Sequence, residues 1–316
     1  MIEFQPTLLT RLADPIAGKI VAFGVGHEGN VYVAVAQEPV DYTREQPGWA
    51  TFPKTRPDSP QSYRLLAYDG ETADTILDLL IREEAFNIHF IQPLLDRLLL
   101  VCARSTWRSE TDIEHNGRIY DRKGQLVGEI ILGDGIEDIQ VTASGRIWAS
   151  YFDEGIFGNF GWRLPLGNPG LVAWDSAGEV TYRFEPQPPL ESMADCYAMN
   201  CPSESDLWCC YYMSFPLVHI QHSHVVESWE SPVGGAHAFA ISDAGVLFQG
   251  GSKDRHTYKL CAFASDALSV TMSASFNTAS GHQIKADRVV GRGGSLFLLE
   301  GREIYRVSVS DVAGAA

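Results

Sequence analysis

Residues 135–152 read GIEDIQVTASGRIWASYF, and that unit decides the fold. Ile139 and Val141 recur at a period of two, Ala143, Ser144 and Gly145 offer a tight turn, and a run of large apolar side chains follows. The pattern is that of a β-hairpin, since alternate strand residues point to opposite faces and glycine tolerates turn backbone. Weaker copies stand at 20–36 (IVAFGVGHEGNVYVAVA), 86–103, 194–213, 236–252 and 286–301 (ADRVVGRGGSLFLLEG). A repeated supersecondary unit signals a repeat architecture before any single motif does.

A second strand pair follows five of the six copies. Three of these pairs turn on an aromatic residue, an Asp and a Gly: Tyr68-Asp69-Gly70, Tyr120-Asp121 with Gly124, and Trp174-Asp175 with Gly178. Aspartate bonds the backbone of its own turn, which explains the choice. Each repeat is therefore a four-stranded meander, and equivalent points recur at roughly 40–65 residues, near the blade period of propellers. The expected fold is all-β, a six-bladed β-propeller of four-stranded antiparallel blades in one domain spanning 1–316. Its blades are expected near 20–81, 86–132, 135–184, 194–231, 236–275 and 286–310. The last blade has a third strand at 303–310 and too little chain after it for a fourth. Residues 3–11 are the length of one strand and are expected to close the ring, which removes the exposed sheet edges that invite aggregation.

The hairpin unit and its copies resemble the six-bladed propellers of the NHL and SMP-30/gluconolactonase-like proteins, an architectural likeness over the whole chain. In SMP-30-like enzymes a divalent metal sits in the central tunnel on carboxylates and Asn side chains near inner-strand starts. Carried onto this chain, the resemblance implies a ligand ring of Asn87, Asp138, Asp195 and Asp287, with Glu137 and His237 nearby. Such hard oxygen donors suit Ca or Mg. Asp at the entry to a strand also serves as a turn or capping residue, so that alternative stands.

Loop lengths give a second, independent pointer. The loops that share one propeller face are long, at 39–62, 105–115, 153–169, 185–193 and 276–285, whereas those of the opposite face are short. Function on a rigid scaffold concentrates in such loops. They carry Trp49, Trp107, Arg108, Phe157, Phe160, Trp162 and Arg163, a Trp/Arg composition typical of protein-binding hot spots. Aromatics that fold back to plug the loops onto the blades would read the same way.

Charge limits the partners. With 40 acidic against 24 basic residues the formal net charge is −16, which repels nucleic acid and anionic membranes and attracts a basic protein surface. Neither a secretory leader nor an apolar run of membrane-span length is evident, so a cytoplasmic location is expected. Cys102, Cys196, Cys209, Cys210 and Cys261 lie in strand-like runs, with Cys201 near a turn, as reduced core residues would. HIQHSH at 219–224 places its histidines on both faces of a strand, and no GxSxG elbow is present. The favoured expectation is a non-enzymatic binding platform with no cofactor and a protein partner, such as a basic enzyme or toxin. The alternative is a metal-dependent hydrolase or lactonase at the tunnel mouth.

Overall fold

The structure is a computed structural model and describes residues 1–12, 18–44, 52–251 and 253–315. Six four-stranded antiparallel sheets are arranged as blades around one axis. Blade one comprises Lys19–Val25, Val31–Ala36, Gln61–Tyr68 and Thr75–Glu84, and blade three comprises Ile136–Val141, Ile147–Tyr151, Leu171–Trp174 and Val180–Arg183. The first strand of every blade is innermost. Each inner strand packs against the inner strands of the two neighbouring blades. Blade faces press together through aliphatic and aromatic clusters, for example Leu99, Val101, Ile139 and Ile147 between blades two and three.

Crowding at the axis explains where glycine is needed. A Cβ on Gly24 would lie 2.1 Å from the carbonyl oxygen of Ile91, and one on Gly291 would lie 1.8 Å from that of Phe239. Only a residue without a side chain allows inner strands to approach so closely. The Asp-Gly turns behave as their chemistry predicts. Asp121 Oδ1 accepts from the amides of Lys123 and Gln125, and Asp175 Oδ1 from those of Ala177 and Glu179, all at 2.9 Å. Gly124 and Gly178 take positive φ of 81° and 87°. At the third turn Ala73, with φ 62°, takes the left-handed position instead of Gly70.

Ring closure follows expectation in outline and differs in detail. Thr7–Arg11 pairs antiparallel with Glu303–Ser308 as the fourth strand of blade six. The remaining N-terminal residues do not continue that strand: Ile2–Phe4 runs parallel to Ala274–Phe276 as a fifth strand of blade five. Buried Pro6 separates the two, lacking the N–H that an unbroken ladder would require. The chain start thus clasps both blades that meet at the closure, with Phe4 edge-on to Phe276. The expected strand at 303–310 is also shorter, because helix α1 begins at Val309 (Val309–Gly314). Ser308 caps it by accepting from the Asp311 amide at 3.0 Å, and Val309 and Val312 pack into the seam between blades five and six. The six cysteines are buried free thiols. Among the described residues no helix is long and apolar enough to cross a membrane.

One deletion and one substitution read out this geometry. Deleting residues 1–12 exposes edges on two blades, so the melting temperature should fall sharply; unchanged melting by circular dichroism would refute the clasp. Gly291→Ala should cost at least ~2 kcal/mol, which in a protein of this size lowers melting by roughly 3 °C.

Candidate functional site

Every inner strand starts on the long-loop face, and near that end a cavity of about 190 Å³ lies on the axis. It does not continue through the molecule. Gln140 of blade three donates from Nε2 to the carbonyls of Met199 in blade four and Gly291 in blade six, both at 3.1 Å. Its Oε1 accepts from the Cys201 amide at 2.9 Å and from Arg292 Nη1 at 3.0 Å, and Arg292 Nη2 donates to the Val141 carbonyl at 2.7 Å. Asn200 completes the lock, donating to the carbonyls of Phe239 (2.8 Å) and Gly293 (3.0 Å) while accepting from the Gly293 amide at 2.8 Å. Gln140, Asn200 and Arg292 are buried, so these bonds span the axis in a low dielectric, where they are strong. The tunnel is a blind pit with this lock as its floor.

One wall of the pit is acidic. Glu137 and Asp138 come from blade three and Asp195 from the start of blade four. Desolvation pushes the Asp138 carboxyl up to about 7, with Glu137's charge adding to it, although the Ile139 amide (2.8 Å) and Gln140 Nε2 (3.2 Å) donate to its oxygens. Desolvation also lifts Asp195 to about 7, helped by the charges of Glu137 and Asp153. Among the described residues Asp195 has no side-chain hydrogen bond or ion pair. His237 Nδ1 stands 3.2 Å from Glu137 Oε1 and its ring leans on Tyr197 with centroids 5.0 Å apart.

The opposite wall carries the basic groups, with Asp287 among them. Arg288 opens blade six and spends Nη2 on the Val21 carbonyl at 2.9 Å. His89 precedes the inner strand of blade two, and burial drives its pKa down to about 4, with Arg288's charge assisting. His89 Nδ1 stands 3.2 Å from both the Ala103 amide and the Asn87 carbonyl oxygen. Arg255 of blade five stands at the mouth.

The structure does not gather the implied metal ring. Asp138 and Asp287 line the pit and Asp195 stands beside Glu137, but buried Asn87 donates from Nδ2 to the carbonyls of Asp41 and Lys54, both at 3.0 Å, and so pins the blade-one loop. Asp287 is exposed and accepts from the Gly301 amide at 2.8 Å. Register is the reason: Asp138 is third in its inner strand and Asp195 first, whereas Asn87 and Asp287 precede theirs. Among the described residues no group of three or more His, Cys, Asp or Glu is arranged to hold a metal.

The proposed rim divides similarly. Trp162 is buried and donates from Nε1 to the Ser105 carbonyl at 2.7 Å, which makes it a plug. Trp107 is half-buried with its amide on the Phe160 carbonyl, and Arg108 is engaged by Glu114 and Asp112. Phe160 lies beneath the Arg104 guanidinium at 4.1 Å. Phe157 is 70% exposed and Arg163 is exposed beside Leu164, itself 89% exposed. Trp49 falls outside the described residues.

Three functional features escaped the sequence reading. Arg104, 1% exposed, forks onto Asp134 with two contacts of 2.8 Å and reaches Glu154 at 2.5 Å, tying three loops of blades two and three together. A lone Arg after a strand carries no signal of this. His89 and Arg288 lie outside the metal-donor pattern that the resemblance implied at the inner-strand starts. The Gln140–Arg292 lock joins residues 152 apart and has no local signature.

A family model described as the YxzG family matches residues 171–307. No curated protein matches the chain. Among solved structures it is similar to the crystal structure of the WD40 β-propeller domain of Doa1, at 7% identity over 99% of this chain and 100% of that one, with a TM-score of 0.46. It is also similar to the crystal structure of the computationally designed Ika8 protein, at 10% identity over 96% of this chain and 99% of that one, with a TM-score of 0.43.

The raised carboxyls give a pH prediction with a definite sign. A folded pKa near 7 against an ordinary value of 3.8 means that Asp138 and Asp195 contribute stability below about pH 4 that is lost as pH rises through 7. Asp138→Asn and Asp195→Asn should therefore raise the melting temperature relative to wild type at pH 8, and the gain should vanish toward pH 4. A gain independent of pH would contradict burial of the charge.

Proposed function

We propose that the chain is a non-enzymatic platform that holds a partner protein on its long-loop face. The carrying observation is the blade-three rim. Phe157 and Leu164 stand exposed beside Arg163 over a groove of about 510 Å³, on a segment whose base is fixed by the buried Arg104–Asp134–Glu154 cluster. The short helix Asp153–Phe157 lifts Phe157 to that rim. Large apolar side chains on a pre-ordered loop bind without a heavy ordering cost, and an exposed apolar patch rimmed by charge is a usual mark of an interface. The net charge of −16 favours a partner with a basic surface, and its field chiefly raises the association rate. Buried free thiols suit a reducing compartment such as the cytoplasm.

A hydrolase at the tunnel mouth is the second reading, favoured by Glu137 and Asp138 lining the pit with Asp195 beside Glu137. It requires a metal that those residues hold with donors added by substrate or solvent.

Affinity capture followed by titration of the captured protein separates the two. Phe157→Ala and Leu164→Ala should each weaken the complex by about 2 kcal/mol, some thirtyfold, while Trp162→Ala should act through lost stability. Raised salt should slow association more than it speeds release. Undiminished capture by the Phe157/Leu164 double variant, together with metal-dependent ester or lactone hydrolysis that Asp138→Asn abolishes, would overturn the platform reading.

A further inference from the structure

The axial pit has no part in a rim-mounted interface, yet it is the most chemically specialised place in the molecule. Its floor is built in advance by the Gln140–Arg292 lock, so it is a fixed concavity. Charges of both signs face into it. Glu137 and Asp138 line one side, with Asp195 beside Glu137; Arg288, Arg255 and the His89 ring line the other, where Asp287 adjoins Arg288. Among the described residues no ion pair joins Asp195 or Asp138 to Arg288 or Arg255, so the walls do not neutralise each other. Phe23 and Phe90 supply apolar surface in the same cavity.

Holding partly desolvated charges of both signs apart costs stability, and a fold gains nothing from it unless something else satisfies them. Sites of this kind are characteristic of ligand recognition. A lone anion would sit against Glu137 and Asp195, and a lone cation against Arg288 and Arg255. A molecule carrying both charges a few bonds apart satisfies both walls. The volume, below the usual range for drug-sized ligands, restricts it to a small one.

We infer that the pit binds a small zwitterion, a free amino acid, with its ammonium group toward Asp195 and Glu137 and its carboxylate toward Arg288 and the His89 ring. Arg288 offers the donor pair that a carboxylate accepts, and the neutral imidazole adds no charge of its own.

Isothermal calorimetry on the full chain tests this with glycine, serine, glutamate, lysine and arginine as probes, and with acetate and methylammonium as half-ligands. At least one amino acid should bind saturably with one-to-one stoichiometry, and each half-ligand should bind at least about tenfold more weakly. Asp195→Asn and Arg288→Gln should each weaken binding of that amino acid by about tenfold or more while circular dichroism stays unchanged, and Leu164→Ala should have no effect. If Arg288→Gln disturbs folding, Asp195→Asn alone decides. No binding by any of the five at millimolar concentration, equal binding by a half-ligand, or an affinity indifferent to Asp195→Asn would overturn the inference. Loss of rim-dependent protein capture would leave it standing.

Discussion

A propeller is a ring, and everything in this molecule depends on how the ring is held shut. Six twisted sheets leave two free edges until the chain's ends meet. Here the closure is made twice over. Thr7–Arg11 supplies the missing outer strand of blade six, and Ile2–Phe4 adds to blade five, so one N-terminal segment spans the seam. The seam is then filled from the other terminus by Val309 and Val312. With its edges paired, the ring can keep its inner strands so close that Gly24 and Gly291 have no room for a Cβ.

Close inner strands make the second feature possible. Side chains of blade three reach across to blades four and six, and Gln140, Asn200 and Arg292 exchange hydrogen bonds with backbone on the far side. That lock divides the axis into a sealed end and a pit open to the long loops. The charged residues at the inner-strand starts consequently line a cavity. Burial then moves the two aspartates upward and the histidine downward in pKa, as low dielectric does to isolated charges.

Much of the fold was legible in the chain. The hairpin pattern of 135–152, the Asp-Gly turns and the length of the N-terminal stretch lead to six closed blades because they express local rules of strand period and turn chemistry. What stayed hidden is non-local. The split at Pro6 and the cap at Ser308 were visible as residues, since Pro breaks a ladder and Ser308 precedes Asp311 by the spacing of a helix start. Their consequences depended on which blade lay alongside. Register was the part of the site least visible in sequence: aligning Asn87, Asp138, Asp195 and Asp287 treats positions before a strand as equal to positions within it. Trp162 shows a further limit, because composition cannot tell a plug from an anchor when the acceptor is the backbone carbonyl of Ser105 in another blade.

The account turns on the pit being blind and preformed. A high-resolution crystal structure of the full chain tests that directly, through the ordered water along the axis and the rotamers of Gln140 and Arg292. The account predicts that Gln140 bridges the Met199 and Gly291 carbonyls, that Arg292 holds the Val141 carbonyl, and that water stops at Asp138. A continuous column of water from face to face, with Gln140 and Arg292 turned away from the axis, would contradict it.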